Sequence, residues 1–543
     1  MNKYIYYPLL SICMMLSLSS CGFLDEDPKD QIPESEAQKT LQSIYLNYVA
    51  SLYTNIGGYE NSQGLQGTTR GIYDFNTLTT DEAMIPTRGG DWYDGGLWQR
   101  LYLHSWGVSD QYVRAVWEYL YKVVILSNES IEVLEANKHR FDTQTVDRYI
   151  AEVRAFRALY YYHLLDLFAR VPITTSSTIP IREIKQNERK EVFDFVFKEL
   201  SEALPLLSND HSNRLGEYYG RITQPVAYFI LAKLMLNAEI YTDNDWTDGN
   251  RPDGSSLHFD IDGQQYNVWE AVIYYCDHIA RFRYQLSPDY EDNFAVFNES
   301  STENIFVIPM DKRSYTNQMQ YLFRSLHYNH SQALGFSSEN GTSATIHALE
   351  VNGYGASEVD PRFEMNYYAG LVYDLNGNVV KTDLGKDLEY YPWEIRLDLS
   401  GSVYEKTAGA RMKKYEIDKT NIKDGKLIDN DIVLFRYADV LLMKAEAKVR
   451  NRENGDAEMN EVRLRVGVHE RTATLETLLD ERLLELAREA WRRQDPIRFD
   501  KYHTSYDQRP QLAGEENRFT TVFPIPQSIL ELNPNLTQNK GYE

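Results

Sequence analysis

Between residues 144 and 169 the apolar side chains Val146, Ile150, Val153, Phe156, Tyr160, Leu164 and Phe168 recur every three or four positions. That spacing puts them on one stripe of an α-helix, and so long a stripe must be buried against other elements. Pro172 ends the pattern. The same period marks residues 110–136, through Val113, Trp117, Leu120, Tyr121 and Val124, and returns near 191–207, 224–241 and 269–282. Residues 37–56 carry Leu41, Ile44, Tyr45, Tyr48 and Leu52 in helical register and stop at Gly57-Gly58. Two further helices are expected near the end, 432–449 and 475–491, the second closed by Pro496. On the outer face of that last helix, Glu485 precedes Arg488 by three and Glu489 precedes Arg493 by four. Such surface pairs are each worth only about 0.2–0.5 kcal/mol. Successive helices with short connections predict helical hairpins stacked side by side.

Two stretches depart from this pattern. Residues 59–106 show little periodicity and many Gly, Thr and Asp, yet they are rich in aromatics, which argues against disorder. Residues 285–430 are irregular, with Gly, Asn, Ser and Pro throughout. One hairpin is expected there: Leu371-Val372-Tyr373 and Val379-Val380 flank Asn376-Gly377, a dipeptide suited to a two-residue loop.

The front of the chain has the layout of a secretory leader. Lys3 is followed by a mostly apolar run from Ile5 to Leu18 and then Ser19-Ser20. The run is shorter than the ~20 residues that span a bilayer. Leu18-Ser19-Ser20-Cys21 looks like a lipobox, whose cysteine becomes an acylated anchor. Cys13 would leave with the leader and Cys21 would carry lipid, so Cys276 has no disulfide partner and stability must come from packing. Formal net charge is −24, which argues against nucleic acid as a partner. There are 41 Tyr and 8 Trp, and a Tyr-rich helical core accounts for most of them.

Several blocks are specific enough to carry a resemblance. The chain closes on Phe523-Pro524-Ile525-Pro526, Asn533-Pro534, Gln538-Asn539 and Gly541-Tyr542. Before that come Glu481-Arg482, Glu485-Leu486, Glu489, Arg492-Arg493, Asp495 and Ile497-Arg498, and earlier Arg436-Tyr437-Ala438-Asp439 with Ala445-Glu446-Ala447. Asn460, Val462-Arg463, Arg465 and Gly467-Val468 form another block, and Phe23-Leu24-Asp25, Pro28 and Thr80-Asp81-Glu82 extend the match to the front. With these blocks the chain resembles the SusD/RagB family of outer-membrane lipoproteins from end to end. It departs at Ala490, where a glycine is usual, and at Pro496, where an apolar residue is usual. The acidic run after Cys21 is similar to the tether that carries Bacteroidetes lipoproteins to the outer face of the outer membrane.

The resemblance implies a mainly α, tetratricopeptide-like helical-hairpin superhelix with a loop-rich subdomain holding a little β-sheet. It divides the chain into a leader (1–20), a lipidated tether (21–36), an N-terminal helical part (37–284) with ligand loop 59–106, an irregular subdomain (285–430) and a C-terminal helical part (431–543). It also implies a cell-surface protein that binds oligo- or polysaccharide without transforming it and delivers it to a SusC-like TonB-dependent transporter. The alternatives are a peptide receptor of a RagAB-like importer, a lipid-anchored glycosidase, or a scaffold that binds only protein.

No G-x-S-x-G elbow, G-x-G-x-x-G or Walker loop occurs. His327 and His330 have metal-ligand spacing, and a solvated pair is the simpler reading. Asp243, Asp245 and Asp248 precede Gly249, which falls one place late for an EF-hand, so a polar turn is expected; no cofactor is indicated, and the sequence leaves open whether calcium assists. The better constellation is Asp74 with Arg88-Gly89-Gly90-Asp91-Trp92-Tyr93-Asp94-Gly95-Gly96-Leu97-Trp98. Glycines free the backbone to present rings, indole faces pack on pyranose C–H faces, and Arg or Asp can bond hydroxyls or, for Arg, a uronate. In SusD-like proteins this loop helps form the glycan site, and that implication carries best to Trp92. Trp98, Arg88, Asp91, Tyr93 and Asp74 complete the candidate set, with Tyr315 in a second wall beside Tyr321 and Phe323.

Overall fold

Eight helices of ten or more residues carry the architecture of the described residues: α1 (Gln111–Asn137), α2 (Thr143–Phe168), α3 (Arg189–Ala203), α4 (Gln224–Leu236), α5 (Val268–Ala280), α6 (Tyr437–Arg450), α7 (Asp456–Arg465) and α8 (Leu475–Leu486). The structure, a computed structural model, describes residues 34–58, 60–314, 319 and 324–543. The expected leader, Cys21, most of the tether, and Tyr315, Tyr321 and Phe323 lie outside those residues. The chain forms two compact units, 1–47 and 48–543. In the first, the helical turns Glu34–Ala37 and Leu41–Ile44 are described, and Thr40 and Ser43 cap the second turn reciprocally.

In the second unit the helices begin where short acceptors cap them. Asp110 accepts from the Tyr112 and Val113 amides ahead of α1, Asp142 from Thr145 ahead of α2, and Asn267 from Glu270 ahead of α5. α1 packs on α2 and α2 on α3, while α4 packs on α5 and α5 on α6, which also contacts α7 and α8. This is the mainly α, hairpin-stacked fold that the periodicity predicts. α2 is the centre of it: from Ile150 to Phe168 only Arg154 is not fully buried. Its tyrosines belong to the core, with their hydroxyls bonded. Tyr160 meets the Tyr119 hydroxyl at 3.0 Å, and Tyr162 donates to Gln494 Oε1 at 2.9 Å. α2 ends at Phe168, four residues before Pro172, where Ala169 turns to a positive φ of 57°.

Three expectations fail, one for a tertiary reason and two for local ones. Residues 432–436 do not begin a helix. Ile432–Arg436 is a strand, β2, paired antiparallel with β1 (Asn304–Ile308), and both are buried on both faces, where a continuous β-branched apolar run fits. The hairpin near 376 has a three-residue loop. The Asp374 carboxylate accepts from the Asn376 and Asn378 amides, and Gly377 takes φ 82°, the usual bulge that follows a type I turn. The last long helix ends at Leu486, because Arg488 and Ala490 adopt φ 67° and 61°. Ala490 thus stands where glycine would be unstrained. Pro496 sits inside the next short helix, Gln494–Arg498, in the first turn, where its missing N–H is harmless.

The expected surface ion pairs fail as well, because this end of the chain is enclosed. Glu485, Arg488, Glu489 and Arg493 are all buried. Arg436 reaches Glu303 at 2.6 Å, Glu485 at 2.6 Å and Glu489 at 2.8 Å. Arg362 binds Glu481 and Glu485, Arg465 binds Glu303 and Glu485, and Lys414 binds Glu489. The network joins segments from 303 to 489, so the middle and the end of the chain share one interior. The closing residues pack as expected: Phe523 stacks on Phe75 at 4.5 Å, and buried Asn539 donates to the Phe168 and Phe523 carbonyls.

The interior sets a pH dependence. Burial holds the His104, His163 and His327 rings down to about 4 and those of His330 and His503 down to about 3. An unfolded chain takes up those protons near pH 6.5, so the stabilisation is present above that pH and is lost as pH falls toward 4. Burial pushes Glu82 and Asp431 up to about 7, which acts oppositely: it favours the fold below the ordinary carboxyl range and is lost as pH rises through 7. Five histidines outweigh two carboxyls. Urea midpoints should therefore fall between about pH 7 and pH 4; a midpoint that rises on acidification contradicts this balance.

Candidate functional site

The loop after Thr87 folds back at once. Arg88 and Asp91 exchange backbone hydrogen bonds at 2.9 and 3.2 Å, with Gly89 at φ 65° making the turn. Trp92 follows at φ 62°, a left-handed conformation that costs a non-glycine residue about 1 kcal/mol or more. Its surroundings hold it there. The indole N–H donates to the Glu339 carbonyl at 2.8 Å, and the ring meets Trp98 edge-on at 5.8 Å. Gly341 permits the approach, since a Cβ there would lie 2.7 Å from the indole. Trp92 is left half-buried on one wall of an open recess of about 400 Å³, lined also by Arg70, Gly90, Asp91, Asp94, Tyr328 and Glu339.

The other candidates divide by burial. Asp91, Tyr93 and Asp94 are exposed, Tyr93 by 60%. Asp91 accepts from Lys406 Nζ at 2.7 Å and from the Tyr328 hydroxyl at 3.0 Å, and the Lys406 bond above all holds its carboxyl below the usual range. The Tyr328 hydroxyl is pushed up to about 12 by burial and by Asp91.

Arg88, Trp98 and Asp74, expected at the ligand, are buried beneath the loop instead. Arg88 donates to the Glu405 and Ala408 carbonyls and to Ser343 Oγ, tying the loop to the 405–408 turn. Trp98 lies between two guanidiniums, Arg70 and Arg324, each 5.3 Å from the ring, and its N–H bonds Asp94. Asp74 grips Arg324 through two bonds of 2.8 and 2.6 Å and also accepts the Arg70 amide. A short polar-aromatic loop signals its own exposure in sequence. It does not signal which rings its partners will cover.

Tyr328, Glu339, Arg70 and Lys406 escaped the sequence reading: contacts spanning more than two hundred residues bring Tyr328 and Lys406 to Asp91, and Arg70 reaches Asp94 from 24 residues earlier. His327 and His330 prove buried rather than solvated. His327 caps a helical turn by accepting the Asn329 amide, and His330 meets the Tyr390 hydroxyl at 3.1 Å. Among the described residues no group of His, Cys, Asp or Glu is placed to hold a metal ion. Asp245 of the calcium-like run binds Thr247 and Lys540. Of the carboxyls raised to about 7, neither Glu82 nor Asp431 lines the recess.

Comparison with known proteins decides the family. Residues 302–542 match the model of the SusD family, and residues 23–236 match one described as starch-binding, associating with the outer membrane. The chain belongs to the SusD/RagB family. It is 23% identical to the starch-binding protein SusD of Bacteroides thetaiotaomicron, over 100% of this chain and 99% of that protein. It is 24% identical to the SusD-like protein P25 of Formosa agariphila, over 98% and 99%. Among solved structures, surface glycan-binding protein A of Bacteroides fluxus superposes with a TM-score of 0.70 at 17% identity, covering 93% of this chain and 100% of its own. The protein of the same name from Bacteroides thetaiotaomicron, in complex with laminarihexaose, gives 0.67 at 17% identity, with 92% and 99% covered. At such identities the structures establish the SusD-like fold. No helix among the described residues is long and apolar enough to cross a membrane.

Proposed function

We propose that this SusD-like protein captures oligo- or polysaccharide in the Trp92 recess and passes it to a SusC-like TonB-dependent transporter, held at the outer membrane through an acylated Cys21. The observation that carries the reading is the placement of Trp92. A strained backbone and a bonded indole N–H fix its ring at the wall of an open recess whose other groups are a tyrosine hydroxyl, carboxylates and a guanidinium. An apolar plane beside hydroxyl-seeking groups matches a pyranose, which offers C–H faces and hydroxyls together. Starch-binding SusD and a glycan-binding protein solved with laminarihexaose, both similar in full length, support the same ligand class.

The recess is shallow, so a few contacts offset by the cost of ordering a flexible chain give weak binding, micromolar to millimolar. Weak capture suits a component that must release its cargo. We infer binding without reaction at the site: the SusD and surface glycan-binding relatives are named for binding alone, and neither carboxyl raised to about 7, Glu82 or Asp431, lines the recess to serve as the acid that glycoside hydrolysis needs. Native affinity electrophoresis in starch, laminarin and other polysaccharides tests the reading. At least one should retard the protein, EDTA should leave the retardation unchanged, and no reducing ends should appear. Retardation by none sinks it, and released sugar would make the protein a hydrolase.

A further inference from the structure

We propose that the recess selects uncharged glycans and rejects uronic-acid or sulfated ones, with Glu339 as the discriminating side chain; this rests on the glycan reading above. Three acidic residues, Asp91, Asp94 and Glu339, line the recess together with Trp92. The cations beside them are already engaged. Arg70 binds Asp94 at 2.9 Å with its guanidinium over the Trp98 ring, and Lys406 binds Asp91 at 2.7 Å. Glu339 lines the recess, is exposed and has no ion pair among the described residues, and its backbone carbonyl accepts the Trp92 indole N–H, so an acidic residue without a salt-bridge partner stands beside the ring.

Arg70 is the one arginine among the described residues that lines the recess, and it is paired with Asp94; two others near the loop are withdrawn. Arg88 is buried among the Glu405 and Ala408 carbonyls and Ser343, and Arg324 is clamped to Asp74. The chain between Ser314 and Arg324 contains no charged side chain. A carboxylate accepts strong hydrogen bonds from sugar hydroxyls, whereas a glycan carboxylate brought alongside meets like charge with no free cation to answer it. The protein's formal charge of −24 adds longer-range repulsion at low ionic strength.

Matched polysaccharides test this: starch against carboxymethyl starch, and laminarin against carboxymethyl laminarin, by affinity electrophoresis at low and high salt. The carboxymethylated member of a bound pair should bind about ten- to hundredfold more weakly in low salt, and the gap should narrow in high salt. Glu339→Gln should also narrow the gap. If a neutral polymer binds and its charged partner binds equally or better, the selectivity is wrong while glycan capture stands. A gap that Glu339→Gln leaves intact overturns the role of Glu339. No retardation by any polymer overturns the inference together with the reading beneath it.

Discussion

Arg436→Ala should abolish the folded protein or lower its stability by about 3–5 kcal/mol, because it leaves buried carboxylates without their cation. Arg436 is fully buried and bonds Glu303, Glu485 and Glu489 at once. Each of those acids has another partner, Arg465 for Glu303, Arg362 and Arg465 for Glu485, and Lys414 for Glu489, yet one cation fewer leaves the cluster net negative in a dry interior. Domains of ordinary stability hold only about 5–15 kcal/mol, so the loss takes a large share. Arg114→Ala is the contrast. Its pair with Glu118 lies at 2.7 Å on an exposed face of α1, and its removal should shift stability by no more than about 0.5 kcal/mol. Urea denaturation of both variants checks the pair; equal midpoints would mean that the buried network contributes nothing.

Trp92→Ala should weaken glycan binding at least about tenfold while the protein stays folded, since central aromatic anchors carry a disproportionate share of binding energy. The ring is half-buried, and its removal deletes a wall of the recess and one hydrogen bond to the Glu339 carbonyl. Trp98→Ala should do the reverse. That ring is 1% exposed between two guanidiniums, and its loss leaves a cavity worth about 3–5 kcal/mol of stability. Two tryptophans six residues apart should thus separate binding from folding. Affinity electrophoresis and urea titration of both variants provide the measurement. Unchanged retardation of Trp92→Ala removes this loop from the site.

The helices were legible because their signal is local. Val146 through Phe168 predict α2 to within a residue at each end, since a 3.6-residue period needs no knowledge of what the stripe packs on. Residues 432–436 defeated the same reasoning: Leu434 and Ala438 share a helical spacing, but β1 lies more than a hundred residues earlier and claims the segment as a strand. Glu485 and Glu489 failed likewise. Their spacing to Arg488 and Arg493 suggested solvated pairs, but α8 stops before Glu489, and Arg436 from a distant strand meets both glutamates in the interior.

In the candidate site, the chain alone told that residues 88–98 form a glycine-rich aromatic loop and that Trp92 belongs to it. Which rings of that loop face solvent came from the 324–341 and 405–408 segments, which cover Arg88 and Trp98 and supply Tyr328 and Glu339. Sequence by itself determined the helical stack, the closing signature as packing, and the family resemblance, because periodicity and motif spacing are properties of neighbours along the chain. Tertiary structure alone decided strand pairing, the burial of the arginine–glutamate network and the charge left in the recess, because each depends on which distant segments exclude water from a given side chain.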